Sequence, residues 1–346
     1  VTGSLHIFAG LLRKVQPGEA LYLVGTRKSA GKTTALNAIV ALCSQRKLGL
    51  VTIGIDGEER DLLFDTDKPR VTVPAGALVC TTDRALAASD ASVTVLRTLG
   101  IHTSMGWLML ARVERGGAML MVGPETNAQV HMVVDMLFNL GAETVLVDGA
   151  FDRRTQLFSR QPKRPSWFVL VAAPAQEPLD TFVDNTAAQC RLLGLPEVPE
   201  DRAAQLPIPD TIGAVACDFD NGARHFDSME AAAQYCGDSG EHPGGLAIAG
   251  PLMQRHIPLL KIISPRRVIV SSGALVFVSP QGLRSLQRLG ISLYQHSALR
   301  PLALVLNTSR RRSGFIPATV ARTLSQAVHP LAVVDLMHDA GTEARA

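Results

Sequence analysis

Gly31, Lys32 and Thr33 stand in succession within LYLVGTRKSAGKTTALNAIVALC, residues 21–43, and that triplet is suited to gripping a phosphate. A strand that feeds a tight loop opening directly into a helix gathers backbone N–H groups around one point, where the helix dipole adds positive potential. Glycine lets the main chain approach phosphate oxygens, the lysine reaches the β- and γ-phosphates, and the next hydroxyl ligates Mg²⁺. The strict spacing G-x-x-x-x-G-K-[ST] is nevertheless broken. Thr26 holds the place of the first glycine, and Gly25 lies one residue too early. Arg27, Lys28, Ser29 and Ala30 complete the loop, and Thr34 follows the triplet. The bland alternative is a glycine turn with a solvated lysine at a helix start.

A phosphate loop that works with Mg²⁺ needs a carboxylate at the end of a nearby strand. Asp148 in TVLVDGAFDRR directly follows an apolar run, with Gly149 beside it, and Asp56 follows the apolar run of LVTIGIDGEERD. The expected metal set is Thr33, Asp148 and Asp56, and the expected catalytic set is Lys32, Asp56 and Asp148. The competing reading makes each aspartate a loop or helix cap. Glu58, Glu59 and Asp61 add negative charge near Asp56, and Thr66 in FDTDKPRVTV is either a switch element or part of a plain connector. Guanine is commonly read by N-K-x-D, whereas LVLNTSRRRSG offers Asn307 with Thr308 and Arg310 in place of the Lys and Asp. ATP is therefore expected, with Asn307 near the adenine. Arg310, Arg311 and Arg312 read as a solvated run.

These residues need elements to hold them. Residues 21–24 read as a strand and 32–46 as a helix, with Leu36, Ile39, Val40 and Cys43 on one apolar face. Further strands are expected at 50–55, 144–147, 167–172, 245–248, 267–270, 275–278 and 302–306, and a helix at about 127–140. Residues 107–113 and 118–122 read as a β-hairpin turned at Gly116 and Gly117. Continuous apolar strands joined through helices imply an α/β fold whose mainly parallel sheet is covered by helices on both faces, with that hairpin inserted at about 66–123. The expected division is a nucleotide-binding half, 1–160, and a second α/β half, 161–346, either separate or continuous with the same sheet.

The chain has 346 residues, 47% of them hydrophobic and 19% charged, with a net charge of +3. That composition supports a large aliphatic core, excludes a disordered chain, and gives no general attraction to nucleic acid or an anionic membrane. Five scattered cysteines without C-x-x-C spacing suggest reduced thiols, and no apolar run is long enough to cross a bilayer. A cytoplasmic location without a leader is expected. His242, His256 and His296 are too far apart in sequence to suggest a metal site.

One branch of P-loop NTPases carries a cation four residues before the glycine of its GK pair, as in K-G-G-x-G-K-[ST]. Arg27 occupies that place here, where it would bind phosphate in cis, reach across a homodimer in trans, or simply be exposed. The segments GTRKSAGKTT, TIGIDGEERD, TDKPRVTV, MGWLMLARVERGGAMLMVGP and VLVDGAFDRR together resemble P-loop ATPases that reactivate adenosylcobalamin-dependent lysine or ornithine aminomutases. The resemblance covers roughly residues 21–154. It implies an ATP-driven exchange of damaged cobalamin from a mutase partner, with a second accessory subunit. The competing expectations are a P-loop kinase or ATP-dependent ligase acting on a metabolite, and a nucleotide-binding regulatory module that hydrolyses nothing.

Overall fold

The computed structural model describes residues 2–27, 30–54, 70–149, 166–199, 206–296, 299–308 and 315–336. In chain order the first strands are β1 (Glu19–Gly25), β2 (Leu48–Thr52), β3 (Val71–Val73), β4 (Leu78–Thr82), β5 (Ser92–Thr103), β6 (Gly106–Arg115), β7 (Gly117–Met119), β8 (Thr144–Gly149) and β9 (Ser166–Ala172). There follow β10 (Val215–Phe219), β11 (Gly222–Phe226), β12 (Gly245–Ile248), β13 (Leu252–Met253), β14 (Arg267–Val270), β15 (Val276–Phe277) and β16 (Ser292–Gln295). The last two are β17 (Arg300–Leu306) and β18 (Val333–Asp335).

Contacts divide the chain into two units. The first holds the described residues within 1–156, 162–183 and 300–346, and the second those within 184–299. β9, β17 and β18 continue the sheet begun by β1, and the second unit is an insertion between β9 and β17. Two short accessory ladders, β3 with β7 and β13 with β15, stand apart from the main sheets.

The first unit is an α/β structure on a nine-stranded mixed sheet of order β18-β17-β9-β1-β8-β2-β4-β6-β5. From β18 to β4 every neighbouring pair is parallel, and β6 and β5 finish that edge antiparallel. All seven residues of β1 are buried, which is why its apolar run does not alternate with polar residues. Leu21 and Leu23 share a core with Phe8 and Leu12 of helix Thr2–Leu12 and with Leu36 and Ile39 of helix Lys32–Leu42. On the opposite face Gly49 of β2 lies against Leu137 of helix Asn127–Asn139, so helices flank both faces. Helix Lys32–Leu42 stops four residues earlier than its sequence suggests, with Cys43 at the C-cap.

At the amino end of the central strands, Glu19 accepts hydrogen bonds from Gln16 N (2.8 Å) and Trp167 Nε1 (2.7 Å), and Arg300 reaches it at 3.3 Å. The Arg300 guanidinium also lies 5.5 Å from the Trp167 ring centroid. One buried carboxylate thus ties β1, β9 and β17 together at the end opposite the loop.

The hairpin is built differently from its sequence reading. β6 pairs with β5 and β4, while β7 pairs with β3. Gly116 and Gly117 make no turn between β6 and β7. They permit close passage: a Cβ on Gly116 would lie 2.9 Å from Val73 O, and one on Gly117 2.8 Å from Ala91 N. The turn is at residues 103–106, where Gly106 has φ 110° and Thr103 Oγ1 donates to Gly106 O. β5 is largely exposed, so it lacks the apolar signature by which a buried strand is recognised.

The second unit carries a five-stranded sheet of order β11-β10-β12-β14-β16, antiparallel at β11-β10-β12 and parallel at β12-β14-β16. One face packs Val215, Cys217, Leu246, Ile248, Val268 and Val270 against helices Met229–Ser239, Ile257–Ile263 and Pro280–Arg288. No helix among the described residues is long and apolar enough to cross a membrane.

All five cysteines are free and buried, and burial pushes Cys80, Cys190 and Cys217 up to about 12. The thiolate is the reactive form, so the native protein is expected to react very slowly with Ellman's reagent at pH 8 and to release five equivalents at once in guanidinium. Rapid labelling of any native thiol would contradict this packing.

Candidate functional site

The loop begins as a continuation of the sheet. Thr26 N–H donates to Val171 O at 2.9 Å, extending the β1/β9 ladder one residue beyond Gly25. Among the described non-glycine residues only Ser264 has a positive φ, so Thr26 needs none of the conformational freedom of glycine. This accounts for the tolerated threonine at the place where the strict spacing has glycine. Its Oγ1 is buried and has no protein hydrogen-bond partner.

Gly25, one residue early, has a different task. A Cβ there would come within 3.2 Å of Lys32 Cδ and Arg27 O. The missing side chain leaves the path along which the Lys32 stem folds back over the end of β1. Lys32 is only 7% exposed, an unusual environment for a lysine and one that confines its ammonium group to the neighbourhood of the loop.

Gly31 is the N-cap of helix Lys32–Leu42, with φ 97° and ψ 25° in the left-handed region. Its carbonyl accepts from Ala35 N at 3.0 Å and so starts the helical ladder, yet no side chain caps the helix and no acidic residue occupies its first turn. The early N–H groups of a helix have no partner within it, which leaves them directed at whatever lies beyond the N-terminus. Thr33 is half-buried and Thr34 exposed.

Asn307, at the end of β17, supports the loop from β17. Its N–H donates to Ala172 O at 2.9 Å and its Nδ2 to Ala30 O at 3.3 Å, while its Oδ1 is buried with no protein hydrogen-bond partner. A Cβ on Gly31 would overlap the Asn307 carboxamide. Thr308 next to it donates to the buried Asp335 of β18.

Asp148 lies one strand from the loop. It is paired in register with Leu23 of β1 and Thr52 of β2, and its carbonyl accepts from Thr52 Oγ1 (3.2 Å) and Ile53 N (2.8 Å). Leu146, two residues earlier, belongs to the core of helix Lys32–Leu42. Strand alternation therefore places Asp148 on the same face as that helix, near the end of β1. Thr33 and Asp148 offer hard oxygen donors, which suit Mg²⁺, an ion that takes few protein ligands and keeps several waters. No group of three or more His, Cys, Asp or Glu assembles for a metal among the described residues. Lys28, Ser29 and Asp56, with Glu58, Glu59, Asp61, Thr66 and the arginines 310–312, lie outside the described residues.

The sequence reading missed Gly123. Its N–H donates to Gly54 O at 3.3 Å, Gly54 N donates to Pro124 O at 2.8 Å, and a Cβ on Gly123 would overlap Thr52 O. Residues 123–124 are thereby pinned against the exit of β2. The sequence signal was the Gly-Pro pair just before Thr126, whose hydroxyl caps helix Asn127–Asn139.

Two costs meet at Gly31, a left-handed backbone and an occupied side-chain position. Gly31→Ala is expected to lower stability by about 2–4 kcal/mol in urea unfolding, and by about 1 kcal/mol less in an Asn307→Ala background, where the overlap is relieved but the φ cost persists. Equal costs in both backgrounds would exclude the Asn307 contact. No family model, curated protein or solved structure matches this chain, so the loop geometry is the ground on which a function is assigned.

Proposed function

We propose that the first unit is an ATPase. In this reading it holds ATP with Mg²⁺ at the mouth of helix Lys32–Leu42 and couples hydrolysis to the rearrangement of a protein partner. One observation carries the proposal: left-handed Gly31 at the N-cap, Lys32 folded over Gly25, and Asp148 on the adjoining parallel strand converge at one end of the sheet. Open parallel sheets bind ligands beyond the carboxyl ends of their strands, where successive connections diverge. The order of strands supports that site, because the chain leaves β1 towards β2 on one side and leaves β9 towards β17 on the other.

In this reading the first helical N–H groups and the Lys32 ammonium hold the β- and γ-phosphates, with Gly31 permitting the approach. Thr33 and Asp148 provide oxygen ligands for the metal. Bound Mg²⁺ would neutralise charge on the phosphate oxygens. Asp56, on the segment that follows β2, is assigned to the metal or to orienting the attacking water. Arg27 contributes a cation in cis or across a homodimer. Asn307 holds the loop through Ala30, and the preference for adenine rests on the absence of the acidic residue that reads guanine.

The partner follows from the resemblance of the loop, hairpin and Asp148 segments. It is an adenosylcobalamin-dependent aminomutase served in the cytoplasm together with a second accessory subunit.

Lys32→Ala should weaken MgATP binding by roughly 10- to 100-fold, the worth of one charge-assisted hydrogen bond, with the melting temperature unchanged. Calorimetry with wild-type affinity in this variant would refute the site. Asp148→Asn should retain nucleotide binding and raise the Mg²⁺ concentration for half-maximal phosphate release by about 10- to 100-fold. An unaltered Mg²⁺ dependence would move the metal role to another residue.

A further inference from the structure

The second unit contains a cavity of about 290 Å³ lined by Val198, Pro199, Arg266, Arg267, Ser292 and Tyr294. It lies on the sheet face turned away from the helical core, where among the described residues a small apolar cluster of Val198, Leu206, Ala216, Ala247 and Ile269 forms. Strand register explains its walls. Asp218, Gly245, Arg267 and Ser292 form one row across β10, β12, β14 and β16, and Ala216, Ala247, Ile269 and Tyr294 form the next. The first row is polar, and the second is small at one end and aromatic at the other.

Gly245 makes the polar row possible. A Cβ there would lie 2.8 Å from Arg267 Nε and 3.0 Å from Leu206 Cδ2, so its absence lets the arginine lie across β12 and meet Asp218 at 2.6 Å. That ion pair fixes the guanidinium, and its buried Nε finds no protein acceptor. Arg266 is exposed at the rim, and the described lining contains no carboxylate to balance it. The Val198–Pro199 segment is fixed beside β16. Val198 N donates to Gln295 O, and Gln295 N to Pro196 O, both at 2.9 Å. The Gln295 side chain in turn binds Leu195 O and Gly273 N.

We propose that this cavity is a binding site for a small aromatic anion, a carboxylate or a phosphate monoester, independent of the nucleotide loop. Arg266 and Arg267 take the anionic group, Ser292 adds a hydroxyl, and the ring lies against Tyr294 and the neighbouring Val198–Pro199 segment. The volume is at the lower end of small-molecule sites, which restricts the ligand to about one ring and its anionic substituent. An arginine held by a carboxylate loses little further freedom when a planar anion arrives.

Calorimetric titration of the full chain with phenyl phosphate and with benzoate tests this, with benzyl alcohol as the neutral counterpart. At least one anion should saturate a single site, and whichever binds more tightly identifies the anionic group. Arg266→Gln, at an exposed position, should weaken that binding by about tenfold with the melting temperature kept. Lys32→Ala should leave it within about twofold, which separates this site from the phosphate loop. The proposal is overturned if neither anion binds saturably, if benzyl alcohol binds equally well, if Arg266→Gln has no effect, or if Lys32→Ala abolishes the association.

Discussion

The carbon that Gly31 lacks governs the arrangement at the loop. Its backbone is left-handed and the position a side chain would take is filled by Asn307, so the turn into helix Lys32–Leu42 is formed by exclusion as much as by attraction. That turn brings Lys32 back over Gly25 and leaves the helix without a side-chain cap. The early N–H groups of this uncapped helix are directed beyond its N-terminus, which in the proposed reading is where an anion binds.

The elements that buried apolar runs specify were legible in the sequence. β1, β8, β9, β12, β14 and β17 are built on continuous apolar runs, and the face of Leu36, Ile39 and Val40 in helix Lys32–Leu42 is buried as its periodicity implies. What escaped notice was set by long-range backbone contact. β5 is mostly exposed and β11 still more so, hence neither has the pattern of a core strand. Gly116 and Gly117 looked like a turn because sequence alone cannot distinguish a glycine that bends a chain from one that lets another chain pass. At the loop, the triplet and Asp148 were readable from type and spacing. The separate duties of Gly25 and Gly123 required coordinates, because each is defined by a neighbour distant in sequence or by the fold of a side chain.

The two sheets use glycine in the same physical way for different ends. In β1 the missing Cβ of Gly25 makes room for a lysine stem, and in β12 that of Gly245 makes room for an arginine. Each cation is carried across a strand that would otherwise block it, and each is restrained before any ligand is present. Rotamer freedom given up on folding is not lost again on binding.

The position of the inserted unit has a consequence for biosynthesis. β9 ends at Ala172 and its neighbour β17 begins at Arg300, so the central sheet is interrupted while the whole intervening unit leaves the ribosome. Closing so long a loop costs entropy that grows only logarithmically with its length, and a prefolded insertion shortens the effective span. Until β17 docks, Glu19 and Trp167 lack Arg300, and Ala30 lacks Asn307. A nascent chain therefore holds Ala30 and Gly31 without the Asn307 side chain until β17 has followed the inserted unit.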